Sequence, residues 1–208
     1  ILILQHHASW RRRNETSMND HINPDFDIVV VGGGLVGLTT ALALSAYCRA
    51  HQLRLGHITR RSNVKDGRTT ALLMPSIEML DELGVWKDCK AHAAALRTMR
   101  LIDGTNRLIR PPLTDFRAAE LDVEAFGYNV PNALLADVLE RTIGEDNSII
   151  RLENSVSSLD CSSNTVTLTL DDGSMVTSRM VAAADGRQSP SRAAAGIEVD
   201  RWEYPQSA

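Results

Sequence analysis

The sequence predicts an α/β fold, a parallel sheet with helical crossovers that runs on into a β-meander. Three observations predict it. The β-branched run Phe26–Val31 ends in three glycines and passes at once into a helix of small and aliphatic residues over 35–48. Amphipathic helical patterns follow at 76–83 and from Asn132 onward. Farther on, an alternating strand and an Asp-Asp-Gly turn lead into residues 175–184, whose last positions are continuously apolar, as a strand buried on both faces requires.

The bulk properties agree with a globular chain. Its 208 residues are 43% apolar and 23% charged, with a net charge of −4, which suits one sizeable core and excludes a disordered or fibrous protein. Nothing points to a nucleic-acid partner, and the basic run Arg11, Arg12, Arg13 reads as a solvated tail. Cys48, Cys89 and Cys161 are odd in number and lack C-x-x-C spacing, so neither a disulfide framework nor a zinc site is expected, and a reducing, cytoplasmic setting is. The six histidines show no metal-ligand spacing, each is read as surface or core packing, and no metal is expected. Ile1 to Leu4 is too short an apolar run for a signal segment or a membrane span. Residues 1–24 are expected to be a disordered or non-native extension, with Met18 as the natural start, because the pattern begins only at Asp25.

Each element has its own grounds. The first strand and helix form a βα unit, and a second, weaker strand is placed at 53–59 by order. The helix at 76–83 carries Ile77, Leu80 and Leu83 on one face, with Pro75 at its start and Gly84 past its end. Around the turn signal Asp103-Gly104, loose alternation over 97–109 predicts a hairpin, and the polar, Pro-containing stretch 110–126 predicts a loop. Asn132 is placed as the N-cap of a helix with Leu134, Leu135, Val138, Leu139 and Ile143 on one face and Gly144 at its stop. A strand over 165–170, the turn Asp171-Asp172-Gly173 and a strand over 175–184 complete the meander.

Gly32, Gly33, Gly34, Leu35, Val36 and Gly37 fit G-x-G-x-x-G directly after a strand and directly before a helix. In that context Gly32 permits the tight turn, Gly34 lets the backbone approach a pyrophosphate, and Gly37 lets helix and strand pack closely. The helix N-terminus adds N–H donors and the positive end of its dipole. The pattern predicts a Rossmann-like domain with a dinucleotide ligand. It also expects an acid about 20 residues on for the ribose hydroxyls, which is absent: Thr59 or Arg60 stands in its place, and Asp66 falls in the next loop. The pair Arg60-Arg61 leaves a preference for a 2′-phosphate open.

The segment Asp66-Gly67-Arg68-Thr69-Thr70-Ala71-Leu72, the helix after it, and Gly84-Val85-Trp86 resemble the FAD-dependent hydroxylases of ubiquinone biosynthesis. These belong to the p-hydroxybenzoate hydroxylase-like flavoprotein monooxygenases. Two later segments extend the resemblance over 25–208: Gly127-Tyr128-Asn129-Val130-Pro131-Asn132, and Asp185-Gly186-Arg187-Gln188-Ser189-Pro190-Ser191-Arg192. It implies that Arg68 contacts FAD, that Asn132 caps a helix and touches the cofactor, and that Asp185, Gly186 and Arg192 lie near FAD and the NAD(P)H path. It implies an FAD-binding domain over 25–196 with a substrate-domain excursion near 97–127. Residues 197–208, with Trp202-Glu203-Tyr204 as a strand, would then begin a β-rich substrate domain.

The activity implied is hydroxylation of a polyprenyl phenol with O₂, NAD(P)H reducing the FAD, in a cytoplasmic enzyme peripheral to the inner membrane or held in a biosynthetic complex. No acid–base catalyst is named, because the cofactor does the hard chemistry. No Gly-Asp-Ala-x-His segment follows, so the chain is expected to be a truncated piece of the enzyme. Two rival readings stand beside this one. The first is a catalytically incomplete fragment that only binds nucleotide. The second is an NAD(P)-binding dehydrogenase domain, against which the Asp185-Gly186 turn argues.

Overall fold

The computed structural model describes residues 2–5, 23–60, 66–161 and 165–202. The chain divides into two compact units, one made of Ile1–Asn63 with Glu145–Ala208 and the other of Val64–Gly144. In chain order the strands are β1 (Leu2–Gln5), β2 (Phe26–Val31), β3 (Leu55–Ile58), β4 (Thr69–Leu73), β5 (Ala94–Ala95), β6 (Thr98–Leu101), β7 (Thr114–Arg117), β8 (Gly127–Pro131), β9 (Ile149–Leu152), β10 (Val156–Asp160), β11 (Val166–Leu170) and β12 (Met175–Ala183). The helices are α1 (Leu35–Ala50), α2 (Met74–Glu82), α3 (Trp86–Cys89), α4 (Asn132–Glu145) and α5 (Pro190–Ala194).

The first unit is built on a sheet of order β10-β11-β12-β2-β3-β9. Strands β12, β2, β3 and β9 run parallel, and β10, β11 and β12 form the antiparallel meander. Val29, Val30, Val31, Leu55, Ile58 and Val181 are buried, which explains why β2 and the end of β12 read as unbroken apolar runs. The meander closes over one face, where Phe26, Val29, Val31, Ile58, Leu159, Val166, Leu168, Leu170, Val176 and Val181 form one core. The residues that α1 buries are small or slim, Gly37, Leu38, Ala41, Leu42, Ser45 and Cys48, so the helix can lie close to β2 and β3.

In the second unit, β4, β8 and β5 form an antiparallel sheet, and β6 pairs with β7 in a separate ribbon. Trp86 stands edge-on to Tyr128 with ring centroids 4.9 Å apart, and α4 buries Leu135, Val138, Leu139 and Ile143. This unit contains the expected excursion at 97–127 and extends beyond it at both ends.

Most expected elements are present, and β5, β8, α3 and α5 are elements that the sequence did not predict. Within the extension expected to lack structure, Leu2–Gln5 is a strand: its apolar residues pair antiparallel with Met180–Ala183, along the edge of β12 that β11 leaves uncovered. The hairpin at 97–109 is wider than expected, for β6 pairs across Thr114–Arg117 rather than just past Gly104. Pro111 and Pro112 have no N–H for a ladder, whereas Arg100 and Asp115 meet across the ribbon in a two-point ion pair of 2.7 and 2.9 Å. Part of the stretch expected as a loop is therefore strand. Strands β4, β9 and β10 carry too little alternation to be legible alone. Helix α4 continues through Gly144 to Glu145. Residues 203 and 204 of the expected strand at Trp202 lie outside the described residues.

Leu168 is fully buried at the centre of the meander core, so Leu168→Ala is expected to cost about 2–5 kcal/mol. A urea denaturation midpoint lowered in proportion, with unchanged slope, is the measurement that checks it.

Candidate functional site

The parallel register of β2 with β12 sets Val31 opposite Ala183. It carries the glycine loop and the Asp185-Gly186 turn to the same end of the sheet. Gly32 adopts φ +128°, and a Cβ there would lie 2.3 Å from the Ala184 carbonyl oxygen, so only glycine fits. A Cβ at Gly37 would lie 2.1 Å from the Gly32 oxygen, which is how α1 comes close beneath the turn. At Gly33 it would meet Thr59 Oγ1 at 2.1 Å. Gly34 differs, for its φ is −78° and a Cβ added there would find nothing within 4 Å, so open space faces it.

Gly34 is also the N-cap of α1, with no side-chain cap and no acid in the first turn. The leading N–H groups of a 16-residue helix therefore point at open space, with no acid in the helix's own first turn. A cavity of ≈ 340 Å³ lies here, bordered by Gly32, Gly33, Gly34, Thr59, Asp185 and Gly186 among others. A second, of ≈ 360 Å³, is lined by Val36, Asp185, Gly186 and Arg192 with Ala183 and Ile197. The structure thus brings together Gly32, Gly33, Gly34, Val36, Asp185, Gly186 and Arg192, while Gly37 supports the loop from below and Leu35 opens the helix.

The carboxylate of Asp185 organises its own turn. It accepts from Ser189 Oγ at 2.5 Å and from Ser191 N–H at 2.9 Å, and Ser189 in turn caps α5 by accepting from Arg192 N–H. Gly186 takes φ +91° to make the turn. Burial alone pushes the Asp185 carboxyl up, but the hydrogen bonds from Ser189 and Ser191 outweigh it and hold it below its ordinary value. The Arg192 guanidinium is turned toward the Arg187 carbonyl, at 3.3 and 3.4 Å.

Arg68 and Asn132 meet in the second unit through Asp66. Arg68 grips Asp66 at two points, 2.8 and 2.9 Å, and Asn132 Nδ2 donates to the same carboxylate at 2.9 Å. Asn132 Oδ1 accepts from Thr70 Oγ1 at 2.5 Å, so both ends of that side chain reach across to the preceding loop and strand rather than along its own helix. The capping role expected of Asn132 is replaced by this clamp. Arg68, with Asn132 after it, holds the Asp66 carboxyl well below the usual carboxylate range. Arg68, expected from the resemblance to contact FAD, is paired with Asp66.

Two further residues pack against the glycine loop: Thr59, which stands in the place of the expected acid, and His57. Thr59 is buried and its Oγ1 makes no hydrogen bond, so a polar atom lies unpartnered directly beneath Gly33. His57, read as ordinary packing, is fully buried with Nε2 2.9 Å from the Gly32 carbonyl oxygen. The available signal was a histidine inside an otherwise apolar parallel strand, where a polar side chain requires a partner.

The model of the FAD binding domain family matches residues 25–205. Among curated proteins the chain is 30% identical over 185 residues to the ubiquinone hydroxylase UbiL of Rhodospirillum rubrum, covering 88% of this chain and 42% of that protein. It is 29% identical over 191 residues to the 3-demethoxyubiquinol 3-hydroxylase of Escherichia coli, covering 89% and 47%. Among solved structures, the flavin-dependent monooxygenase PieE in complex with FAD and substrate superposes with a TM-score of 0.65 at 25% identity, over 85% of this chain and 33% of that one. The chain spans less than half the length of the two curated relatives.

The Asp185 bonds give a pH prediction. With its folded pKa depressed, the stability they contribute is fully present above the unfolded value of about 3.9 and is lost as pH falls below it. Asp185→Asn is therefore expected to lower the melting temperature at neutral pH, and to show a shallower decline than the parent in a melting series taken into that acid range.

Proposed function

The chain belongs to the FAD binding domain family, and from this we propose that it holds FAD as the nucleotide-binding part of an NAD(P)H-dependent monooxygenase hydroxylating a polyprenyl phenol in ubiquinone biosynthesis. The observation that carries the reading is the uncapped N-terminus of α1 opening at Gly34 onto a cavity bordered by the Asp185-Gly186 turn.

The residues present fit that cofactor. A pyrophosphate needs N–H donors and room against the backbone, and Gly34 with the first turn of α1, which carries no acid of its own, offers both. The unpartnered Thr59 hydroxyl lies where the pattern otherwise has an acid for ribose, which supports a nucleotide held there without one. In this reading Gly32, Gly33, Gly34, Leu35, Val36 and Gly37 form the phosphate loop. Gly186 keeps side-chain bulk away from the cofactor, Asp185 keeps its turn rigid, and Arg192 lines the second cavity. Arg68 and Asn132 contribute as a preassembled pair with Asp66, and the guanidinium donors not spent on Asp66 are left for the cofactor.

FAD held there would supply the redox chemistry of the hydroxylation, with NAD(P)H as the two-electron reductant and O₂ as the source of one ring oxygen and one water. The protein's share is binding, orientation and exclusion of water, and no acid–base catalyst is assigned among these residues. Hydroxylation belongs in this reading to the whole protein, because the relatives that carry such names are more than twice as long as the matched part. No helix among the described residues is long and apolar enough to cross a membrane, so access to a polyprenyl substrate is assigned to peripheral association or to a biosynthetic complex.

Gly34 gives a clean test, since a side chain there meets nothing in the fold but fills the space in front of the helix. The parent is expected to retain FAD through gel filtration with a visible flavin absorption band. Gly34→Val is expected to melt at the parent's temperature while losing about tenfold or more in FAD affinity, roughly 1.4 kcal/mol. Unchanged FAD retention by Gly34→Val, or a parent that takes up none, defeats the reading. Gly32→Ala and Gly37→Ala are expected instead to lower the melting temperature itself, because each added Cβ would collide with backbone.

A further inference from the structure

Strand β3 holds the first glycine of the loop by both of its main-chain polar groups. The Gly32 N–H donates to the Ile58 carbonyl at 2.9 Å, and the Gly32 carbonyl oxygen lies 2.9 Å from His57 Nε2. A carbonyl only accepts, so Nε2 carries the proton and His57 is the donor. His57 sits in a parallel strand between β2 and β9 and has no solvent exposure. In such a place each polar contact is held in one geometry, and losing it leaves a buried acceptor unsatisfied. The same oxygen is confined from another side by the Cα of Gly37, where a Cβ would come within 2.1 Å.

We infer that His57 is a positioning residue for the nucleotide loop, one that aims the Gly33 N–H at the bound anion by anchoring the Gly32 carbonyl. The link is the peptide plane. Gly32 C=O and Gly33 N–H belong to one rigid trans unit and point in opposite directions. With the carbonyl drawn toward His57 in the interior, the N–H of Gly33 faces outward, and Gly33 is exposed and borders the cavity in front of α1. Ile58 prevents the unit from sliding by holding the Gly32 N–H, and the backbone at Ala184 prevents Gly32 from moving toward β12. Without the His57 donor the Gly32–Gly33 peptide retains these walls but loses the bond that fixes its rotation. His57 touches neither cofactor nor substrate in this scheme and acts only through the loop.

The identity of the anion rests on the FAD reading above; the anchoring of Gly32 does not, and the experiments separate the two. In the full chain without ligand, ¹⁵N NMR is expected to show His57 as the neutral Nε2–H tautomer, and hydrogen exchange at Gly32, whose N–H is bonded to the Ile58 carbonyl, is expected to quicken in His57→Leu, which removes the donor at similar volume. In FAD titrations with every variant fully folded by circular dichroism, His57→Leu is expected to weaken affinity about tenfold. His57→Gln, whose amide N–H reaches toward the place of Nε2, should recover most of that loss. An Nδ1–H tautomer overturns the proposal, as does a folded His57→Leu with the parent's affinity for FAD and the parent's exchange rate at Gly32. If His57→Leu does not fold, the tautomer and the affinity of His57→Gln decide the matter, parental affinity supporting the clamp and a tenfold loss opposing it. A parent that binds no FAD defeats the functional reading, while the tautomer and the Gly32 exchange still judge the anchor.

Discussion

Strands β2 and β12 lie side by side in parallel, with Phe26 opposite Ser178 and Val31 opposite Ala183. Their two continuations, the glycine turn and the Asp-Gly turn, leave the sheet at the same edge. The backbone at Ala184 then comes so near Gly32 that no side chain is admitted between them. Without that pairing the glycines would be a flexible turn and Asp185-Gly186 an ordinary surface loop. With it, the two turns share the walls of one cavity, and the N-terminus of α1 opens into it. The apolar character of both strands is what makes the pairing durable, since Val29, Val30 and Val181 leave no surface exposed to water.

The acids near the expected cofactor contacts are engaged by the protein itself. Asp185 is bonded to Ser189 and Ser191, and Asp66 to Arg68 and Asn132. Each carboxylate fixes the conformation of a loop that would otherwise lose more entropy on meeting a ligand. At the mouth of α1 stand main-chain N–H groups and a neutral hydroxyl at Thr59, with no acid in the first turn of the helix and the Asp185 carboxylate already bonded within its own turn. In the proposed reading the missing ribose acid belongs to a wider pattern, in which backbone and helix dipole are left to recognise the cofactor and carboxylates supply the scaffolding.

Legibility in the sequence followed burial and periodicity. The run Phe26–Val31, the small residues of α1, the face Leu135, Val138, Leu139 and Ile143, and the turn at Gly173 were all readable, because each obeys a short-range pattern that water imposes. Strands β4 and β9 were not, since Thr69–Leu73 and Ile149–Leu152 take their state from partners far along the chain. The hairpin of β6 and β7 was misplaced because Asp103-Gly104 is a strong local turn signal, whereas the ion pair of Arg100 with Asp115 is a tertiary fact. At the site, the glycines carry their own signature, but Thr70 and Asp66, the partners of Asn132, lie 62 and 66 residues away and meet it only in the fold. His57 was visible only as a polar residue in an apolar strand, and its meaning needed the Gly32 carbonyl.

The distance along the chain between the two central strands has a bearing on biosynthesis. Asp25 and Thr177, bonded at the start of the β2 and β12 pairing, are 152 residues apart, whereas His57 and Ile58 follow the glycines closely. During translation at about 5–20 residues per second, roughly 8–30 s separate the emergence of β2 from that of its partner. For that interval the nascent glycine turn is held by β3 alone, and the edge of β2 that will receive β12 stands open to other strands. The anchoring of Gly32 by β3 gives the loop its shape before the opposite wall has been synthesised, and chaperone cover over that open edge is needed most while the residues between them are being made.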